Sequence, residues 1–327
     1  MSLIKNQKIK TARRETLLFL AYPFLRLMIL FVRFYPKSKR GAFATRIGTF
    51  TYKFNKTSKK RTLNSLTIAY GNVLSSNEIE QMAQDVFVNT AKTVIDFYAT
   101  AHITDKKHFF ELVEVEGENY LKTAYEQKKG VICLVPHLSL WELAAVTPPM
   151  MGYETSAASK AIKGFLIQRM MVRFRSRRGM KNISRDGSYQ KLVEALTKGD
   201  CLIVMIDQDT KVKGVFVDFY GKKAYTPMGV SRLAIETGAI VVPMAMTRKN
   251  DGNYKFIIQP PLETINTGNT EQDLYDNTQQ QTLVLENIIR QYPTQWVWMH
   301  RRWKTTPENL AAYLQQRAIE KAKHHKK

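Results

Sequence analysis

The sequence predicts an α/β fold, in which a mixed central sheet is flanked by helices and preceded by an N-terminal membrane-associated helix. Three short apolar runs, at residues 130–135, 201–206 and 239–246, have the composition of strands covered on both faces. Helical patterns alternate with these runs, which is typical of strands joined by crossover helices. The predicted helices are 118–125, 141–151, 164–176, 188–198, 228–237 and about 270–291, and a further strand is predicted at 113–115.

Upstream of the sheet, the chain reads as helical over residues 41–70, with a basic surface. A long helix then follows from residue 78 to about residue 100. Ser75 or Ser76 is suited to cap its first turn, and apolar residues recur along it at helical spacing.

An apolar segment lies near the N-terminus, at residues 16–32 (TLLFLAYPFLRLMILFV). Basic residues flank it on both sides, and no small-residue cleavage pattern follows it, so a removable signal peptide is disfavoured. As a helix it would extend roughly 25 Å, the short limit for crossing a bilayer, and Pro23 and Arg26 interrupt it. A short spanning helix, an interfacial helix and a buried core helix remain open, and the flanks favour the membrane. We therefore expect an anchor over 1–40 and a single domain over 41–327.

The charge balance points to anionic partners. The chain has 50 Lys and Arg against 28 Asp and Glu, a formal net charge of +22. Such a field attracts nucleic acid, anionic lipid, phosphorylated substrates or acidic carrier proteins. The absence of a helix-turn-helix, RRM or zinc-finger signature, together with the apolar N-terminus, argues against nucleic acid.

The two cysteines, Cys133 and Cys201, each lie within an apolar run. This pattern predicts two buried thiols in strands. It does not fit a disulfide framework or a metal site.

The strongest chemical signal is the segment 136–142 (PHLSLWE), where a predicted buried strand ends and a helix begins. Ligands and catalysis collect at such strand ends in α/β sheets. Glu142, five positions after His137, is expected to fold back and orient the imidazole as the acid does in hydrolase triads. Ser139 lacks the context of a nucleophile elbow, so a general base acting on a substrate hydroxyl is the simplest chemistry. A purely structural histidine fits the spacing as well.

Four stretches together resemble the lipid A biosynthesis lauroyl/myristoyl acyltransferases, or late acyltransferases, in the glycerophosphate-acyltransferase-like group. The segment 136–142 is similar to the family's H-x-x-x-x-D/E motif, and 173–186 to the basic stretch after its helix. Residues 206–221 resemble its D-Q-D block and the F-V-x-F-F/Y-G that follows. Residues 293–304 (PTQWVWMHRRWK) resemble Q-W-x-W-x-H-R-R-F-K. The resemblance extends from the anchor to about Pro307.

The chain departs from the family pattern in three places. Pro136 replaces the usual glycine before the histidine, Lys160 stands where a Tyr-Arg pair is common, and 227–229 (PMG) replaces a Thr-rich stretch. We expect these changes to affect donor length and acceptor choice more than the chemistry.

The resemblance implies roles for individual residues. His137 would be the general base, with Glu142 supporting it. Arg173, Arg175 and Arg185 are candidates to bind the developing oxyanion or a phosphate, against the alternative of a solvated basic face. Asp207 and Asp209 would orient these arginines or the acceptor sugar, or only cap a turn; they do not form a convincing metal site. Two further groups lie in the last motif. We predict a structural lock or a phosphate contact for His300, Arg301 and Arg302. For Trp296, Trp298 and Trp303 we predict packing in the core or at the membrane interface.

The implied reaction is transfer of a fatty acyl chain from acyl-acyl carrier protein, the co-substrate, to a hydroxyl of a lipid A precursor, without a further cofactor. The implied partners are the carrier protein, a phosphorylated glycolipid and anionic membrane lipids, and the implied location is the cytoplasmic side of the bacterial inner membrane. Under this reading, 41–327 is the catalytic domain. Transfer to another membrane lipid, and hydrolysis by the same residues, remain open.

Overall fold

The computed structural model describes residues 2–159, 164–184, 189–210, 212–312 and 315, with side chains described from Thr16 onward except at 17 and 21. Lys160, Arg185 and the basic C-terminal tail lie outside the described residues.

The strands form one large mixed sheet and a separate hairpin. In chain order they are β1 (Val113–Glu116), β2 (Val131–Leu134), β3 (Thr155–Ser159), β4 (Met180–Ser184), β5 (Cys201–Val204), β6 (Gly214–Phe219), β7 (Lys222–Pro227), β8 (Ile240–Arg248) and β9 (Tyr254–Ile258). The seven-stranded sheet has the order β1-β9-β8-β2-β5-β3-β4. Only the β8–β9 pair in it is antiparallel. The α/β fold with a mixed central sheet is therefore confirmed.

The helices are α1 (Ser2–Phe34), α2 (Lys37–Phe54), α3 (Lys56–Tyr70), α4 (Ser76–Thr100), α5 (Lys106–Leu112), α6 (Glu118–Glu126), α7 (Trp141–Met151), α8 (Phe165–Ser176), α9 (Tyr189–Thr197), α10 (Gly229–Thr237) and α11 (Thr270–Gln291). Helix α4 starts with a capping box, in which the Ser75 hydroxyl accepts from the Glu78 N–H and the Glu78 carboxylate accepts from the Ser75 N–H.

Two apolar cores cover the two faces of the sheet, and β2 contributes to both. Ile132 and Leu134 pack with residues of α4, α9, α10 and α11 on one face. Val131 and Cys133 pack with residues of α6 and α7 on the other face. All four side chains are fully buried. The predicted doubly covered strand is thus confirmed, as are the two free, buried cysteines.

The N-terminal helix is longer than the apolar segment that predicted it. Near its C-terminal end, Val32 is buried in a small cluster with residues of α2 and α4. Most of the large apolar side chains between Phe19 and Phe34 are exposed. No helix among the described residues is both long enough and apolar enough to cross a membrane.

Two of the unpredicted strands, β3 and β4, lack a strong apolar pattern. Strand β3 (TSAAS) is built of small residues and β4 (MKNIS) is largely polar, so neither shows the run of branched residues typical of a central strand. The β6–β7 hairpin turns at Tyr220 and Gly221, which both have positive φ, as a two-residue hairpin loop requires.

Candidate active site

His137 and Asp207 meet because of the pairing register of two adjacent parallel strands. Leu134 at the end of β2 lies beside Val204 at the end of β5. His137 and Asp207 each follow three residues later, so both reach the carboxyl edge of the sheet at the same level. The Nδ1 atom of His137 lies 2.7 Å from Oδ1 of Asp207. The backbone N–H of His137 also donates to Oδ2 of Asp207, at 2.6 Å.

A third donor completes the surroundings of the Asp207 carboxylate. The indole N–H of Trp296 donates to Oδ2 at 2.8 Å. Trp296 reaches this position because its segment pairs with the loop after β2. Leu138 forms a bridge with Trp296, and the N–H of Ser139 donates to the carbonyl of Gln295 at 2.8 Å. The family-like stretch 293–304 therefore forms a wall of the site.

The hydrogen bonds also determine the tautomer of His137. Burial raises the pKa of Asp207, but the facing His137 ring and the hydrogen bonds from His137 and Trp296 outweigh it and lower that pKa to about 2. An ionised carboxylate only accepts hydrogen bonds, so Nδ1 of His137 carries a proton and donates it. In the neutral ring Nε2 then carries the lone pair, and Nε2 has no partner among the described residues. With a side chain that is 20% exposed, His137 remains accessible to a substrate.

Glu142 does not orient the imidazole as the sequence led us to expect. It lies in the first turn of α7 and forms a two-pronged ion pair with Arg175 in the last turn of α8. Nε of Arg175 lies 2.9 Å from Oε2, and Nη2 lies 2.7 Å from Oε1. Because helix α7 turns away after the strand end, the carboxylate that reaches Nδ1 comes from the neighbouring strand. The described hydrogen bonds thus assign the support of His137 to Asp207.

The other predicted site residues are dispersed. Arg173 is exposed on α8, two positions before Arg175. Arg185 lies outside the described residues. Asp209 holds the chain after the H-R-R segment, because its carboxylate accepts from the Thr305 N–H at 2.6 Å and from the Thr305 hydroxyl at 2.9 Å. Of the two aspartates, only Asp207 contacts His137.

Two further rings lie beside His137. The ring centroid of Trp141 is 5.5 Å away, and that of His300 is 6.3 Å away. Desolvation and the positive charge that His137 can acquire lower the pKa of His300, so its ring is neutral at pH 7. Its Nε2 lies 3.1 Å from Nε2 of Gln208.

Neither a serine nucleophile nor a metal centre emerges from the described residues. Ser139 adopts a positive φ of 48°, and its buried hydroxyl has no hydrogen-bond partner in the described part of the chain. No group of His, Cys, Asp and Glu side chains within that part is arranged to hold a metal ion. The arrangement provides a base with a buried carboxylate behind it, a combination suited to deprotonating a hydroxyl.

Sequence reasoning missed two relationships at this site. The sequence pattern predicts Asp207 only as a residue that orients arginines or the acceptor sugar, or caps a turn, and it predicts Trp296 only as packing. The available signal was that each residue closely follows an apolar run, His137 after 130–135 and Asp207 after 201–206. It becomes informative only when the two runs are known to be adjacent strands.

The chain matches known bacterial acyltransferases over most of its length. The model for bacterial lipid A biosynthesis acyltransferases matches residues 7–305. The lipid A biosynthesis palmitoleoyltransferase of Escherichia coli (strain K12) is 28% identical over 275 residues, covering 80% of this chain and 84% of that protein. The lauroyltransferase of the same organism is 28% identical over 204 residues, covering 60% and 63%. The phosphatidylinositol mannoside acyltransferase of Mycolicibacterium smegmatis is 26% identical over 197 residues, covering 59% and 63%.

Proposed function

Because the chain belongs to the bacterial lipid A biosynthesis acyltransferase family and is an acyltransferase of lipid A or related glycolipids, we propose that it acylates a Kdo-bearing lipid A precursor, with acyl-acyl carrier protein as the donor. The observation that carries this proposal is the pairing of His137 with the buried Asp207 carboxylate, which leaves Nε2 free for a substrate.

In the proposed reaction, Nε2 of His137 takes the proton of an acceptor hydroxyl as its oxygen attacks the thioester carbonyl carbon. The C–O bond of the new ester forms, and the C–S bond of the donor breaks. The leaving sulfur receives the proton from His137, so the ring returns to its neutral form. Asp207 stabilises the imidazolium that exists between these steps and keeps the ring in place.

Arg175 is suited to stabilise the negative charge that develops on the carbonyl oxygen. Glu142 engages Nε and one N–H of Nη2, and the remaining guanidinium N–H groups have no acceptor among the described residues. In this proposal Glu142 is a positioning residue that fixes the guanidinium, since both side chains are 13% exposed. Preorganised donors of this kind supply much of the rate enhancement of acyl transfer.

Surface properties support the partners we propose. The net charge of +22 favours an acidic carrier protein, a phosphorylated acceptor and anionic lipid. Helix α1 exposes a set of large apolar side chains: Phe19, Leu20, Phe24, Leu27, Leu30, Phe31 and Phe34. We propose that α1 lies in the interface of the inner membrane, with the catalytic domain on its cytoplasmic side.

A second acceptor class follows from the comparisons. The mycobacterial relatives are named as phosphatidylinositol mannoside acyltransferases. The same pair of residues would serve acylation of a mannosylated phosphoinositide, because the chemistry at the hydroxyl is identical. An assay of acceptor choice therefore needs both glycolipids.

The test is transfer of a radiolabelled acyl chain from acyl carrier protein to a Kdo-bearing tetra-acylated lipid A precursor or to the mannoside, using membranes that contain the full chain. His137→Ala should lower transfer by about 10²- to 10⁴-fold. His108→Ala is the matched control, because His108 is an exposed histidine whose Nδ1 lies 2.7 Å from Asp105; it should retain activity. Donor consumption without an acceptor, at a rate comparable to transfer, would identify a hydrolase instead. Transfer that persists in His137→Ala would exclude the proposed base.

A further inference from the structure

A cavity of about 420 Å³ lies beside His300 and contains none of the residues that carry the proposed chemistry. Its lining includes Ser58, Arg61, Asp209, His300, Arg301 and Lys304. The segment 300–304 belongs to the family-like stretch 293–304. Within it, we predicted either a structural lock or a phosphate contact for His300, Arg301 and Arg302. The two arginines of this motif prove to have different environments.

Arg302 is the structural lock. It is 1% exposed and donates to the Tyr225 carbonyl and the Thr226 hydroxyl of β7. Its guanidinium also lies 5.0 Å from the ring centroid of Phe219. These contacts hold the loop against the β6–β7 hairpin and leave the side chains on either side of Arg302 directed elsewhere.

Arg301 and Lys304 come together on the exposed side of the same loop. The N–H of Lys304 donates to the carbonyl of Arg301 at 3.2 Å, which closes a turn and brings the two residues to one side. Asp209 fixes the next residue through both of its carboxylate oxygens. That carboxylate is therefore already engaged by Thr305, although it lines the cavity.

Arg61 approaches from helix α3. Ser58, Arg61 and Ser65 lie at spacings that place them on one face of this helix, and the Ser65 hydroxyl donates to the His300 carbonyl at 3.5 Å. The Nε atom of Arg61 is buried and has no hydrogen-bond partner among the described residues. Arg61 and His300 line the same cavity, and the positive charge of Arg61 contributes to lowering the pKa of His300.

These three cations differ from the arginines of the described chain that are paired with a carboxylate. Arg175, Arg248 and Arg290 each form an ion pair with a carboxylate. Within the described part of the chain, Arg61, Arg301 and Lys304 form none. A buried, unpaired guanidinium N–H is costly unless water or a ligand satisfies it. The cavity therefore has an excess of positive charge and an unused donor, as an anion site requires.

We propose that this cavity binds the phosphate group of a substrate and thereby places the reacting group at His137. The inference rests on the proposed function and adds to it a recognition subsite. Two arginine forks and an ammonium match the geometry and charge of a phosphate better than those of a carboxylate. His300 lines the cavity, and its ring centroid is 6.3 Å from that of His137, so a phosphate bound there would lie near the proposed base.

Two substrates carry such a group: a phosphorylated glycolipid acceptor and the phosphopantetheine arm of the donor. Acyl transfer by the full chain would be measured with a phosphorylated acceptor and with the same acceptor after phosphatase treatment. A second arm would compare acyl-phosphopantetheine with acyl-pantetheine. The subsite requires that the wild-type protein prefer one phosphorylated substrate, with a KM about 10- to 100-fold lower.

The variants Arg301→Gln and Arg61→Gln should raise the KM for that phosphorylated substrate about 10-fold or more and leave the KM for its phosphate-free form unchanged. Lys191→Gln is the control, because it removes one positive charge from an exposed position on α9. The arm in which the preference disappears identifies the source of the phosphate. Equal KM values for both forms of both substrates in the wild-type protein would overturn the proposal without relying on any variant.

Binding of inorganic phosphate to the purified full chain provides a readout independent of transfer, and calorimetry would measure it. We expect binding that weakens about 10-fold in Arg301→Gln and Arg61→Gln but not in Lys191→Gln. If the wild-type protein transferred no acyl chain yet bound phosphate in this pattern, the proposed reaction would fail and the subsite would stand. Transfer together with phosphate binding that ignores both substitutions would remove the subsite and keep the reaction.

Discussion

Asp207 holds its negative charge in a buried position, and the proposed catalysis depends on that charge. Asp207→Asn keeps the size of the side chain but removes the charge that stabilises the imidazolium of His137, and it allows the wrong tautomer. We expect kcat to fall by about 10³- to 10⁴-fold, with little change in KM. Asp218→Asn, which alters an exposed aspartate paired with Lys223, is the matched control. An Asp207→Asn variant with near wild-type kcat would show that His137 works without a carboxylate.

The same carboxylate makes stability depend on pH in acid. Its pKa is lowered from 3.8 to about 2 on folding, so it stabilises the native state above pH 4 and loses that contribution as the pH falls towards 2. The shift corresponds to about 2 kcal/mol at pH 7, of which about half is lost by pH 3. Urea unfolding of the wild type and of Asp207→Asn at both pH values should give a difference in free energy that shrinks by about 1 kcal/mol. A constant difference would contradict the lowered pKa.

At the scale of elements, the Glu142–Arg175 pair ties the start of α7 to the end of α8. If Glu142 acts by positioning Arg175, then Glu142→Gln and Arg175→Gln lower kcat/KM through the same interaction. Each should cost about 10- to 100-fold, and the double variant should lose little more than the worse single variant. If Glu142 instead acted on His137 directly, the two losses would multiply. Kinetics of the three variants with one acceptor distinguish these outcomes. Combining Asp207→Asn with Glu142→Gln or with Arg175→Gln should multiply the fold-losses in kcat/KM, because the two changes affect separate interactions.

The segment 300–304, which packs against β7 through Arg302, gives a second comparison, between the adjacent residues Arg301 and Arg302. Arg302→Ala leaves the Tyr225 carbonyl and the Thr226 hydroxyl without donors and opens a cavity, so we expect about 3 kcal/mol of lost stability. Arg301→Ala changes an exposed side chain and should alter stability by no more than about 0.5 kcal/mol. Urea denaturation measures both. Equal losses would show that Arg302 is not the anchor of this loop.

Local patterns determined the elements that could be foreseen, and long-range register determined what was missed. Helix α7 begins and ends at the predicted residues, and β2, β5 and β8 match the apolar runs. Strands β3 and β4 have no such pattern, because β3 is built of small residues and the edge strand β4 of largely polar ones. The candidate site also has one residue that a local pattern reveals and one that depends on strand pairing. His137 was visible from its motif, whereas its partner Asp207 depends on β2 lying beside β5.

At the scale of the whole molecule, the candidate active site and the exposed apolar side chains belong to different parts of the chain. His137 and Asp207 follow strands of the large sheet, and the proposed phosphate subsite combines residues of 299–304 with Asp209 and with Arg61 of α3. The apolar side chains that remain exposed are concentrated in α1. The family match includes most of α1, since it starts at residue 7. The proposed lipid substrates give this exposed helix a role in placing the domain at a bilayer.

That role predicts how the chain should associate with vesicles. Replacing Phe19, Phe24, Leu27 and Phe34 with Ser removes side chains that are between 64% and 74% exposed, so folding should be little affected. Each burial in the membrane interface contributes on the order of 1.5 kcal/mol, and four replacements should weaken partitioning into anionic vesicles by more than about 10³-fold. Replacing the exposed Val73 and Leu283, which lie outside α1, is the control and should leave flotation unchanged. Because basic side chains add attraction to anionic headgroups, 1 M salt should weaken wild-type binding less than the four replacements do. Vesicle binding that survives the replacements but disappears in salt would assign membrane association to charge alone, and α1 would need another partner.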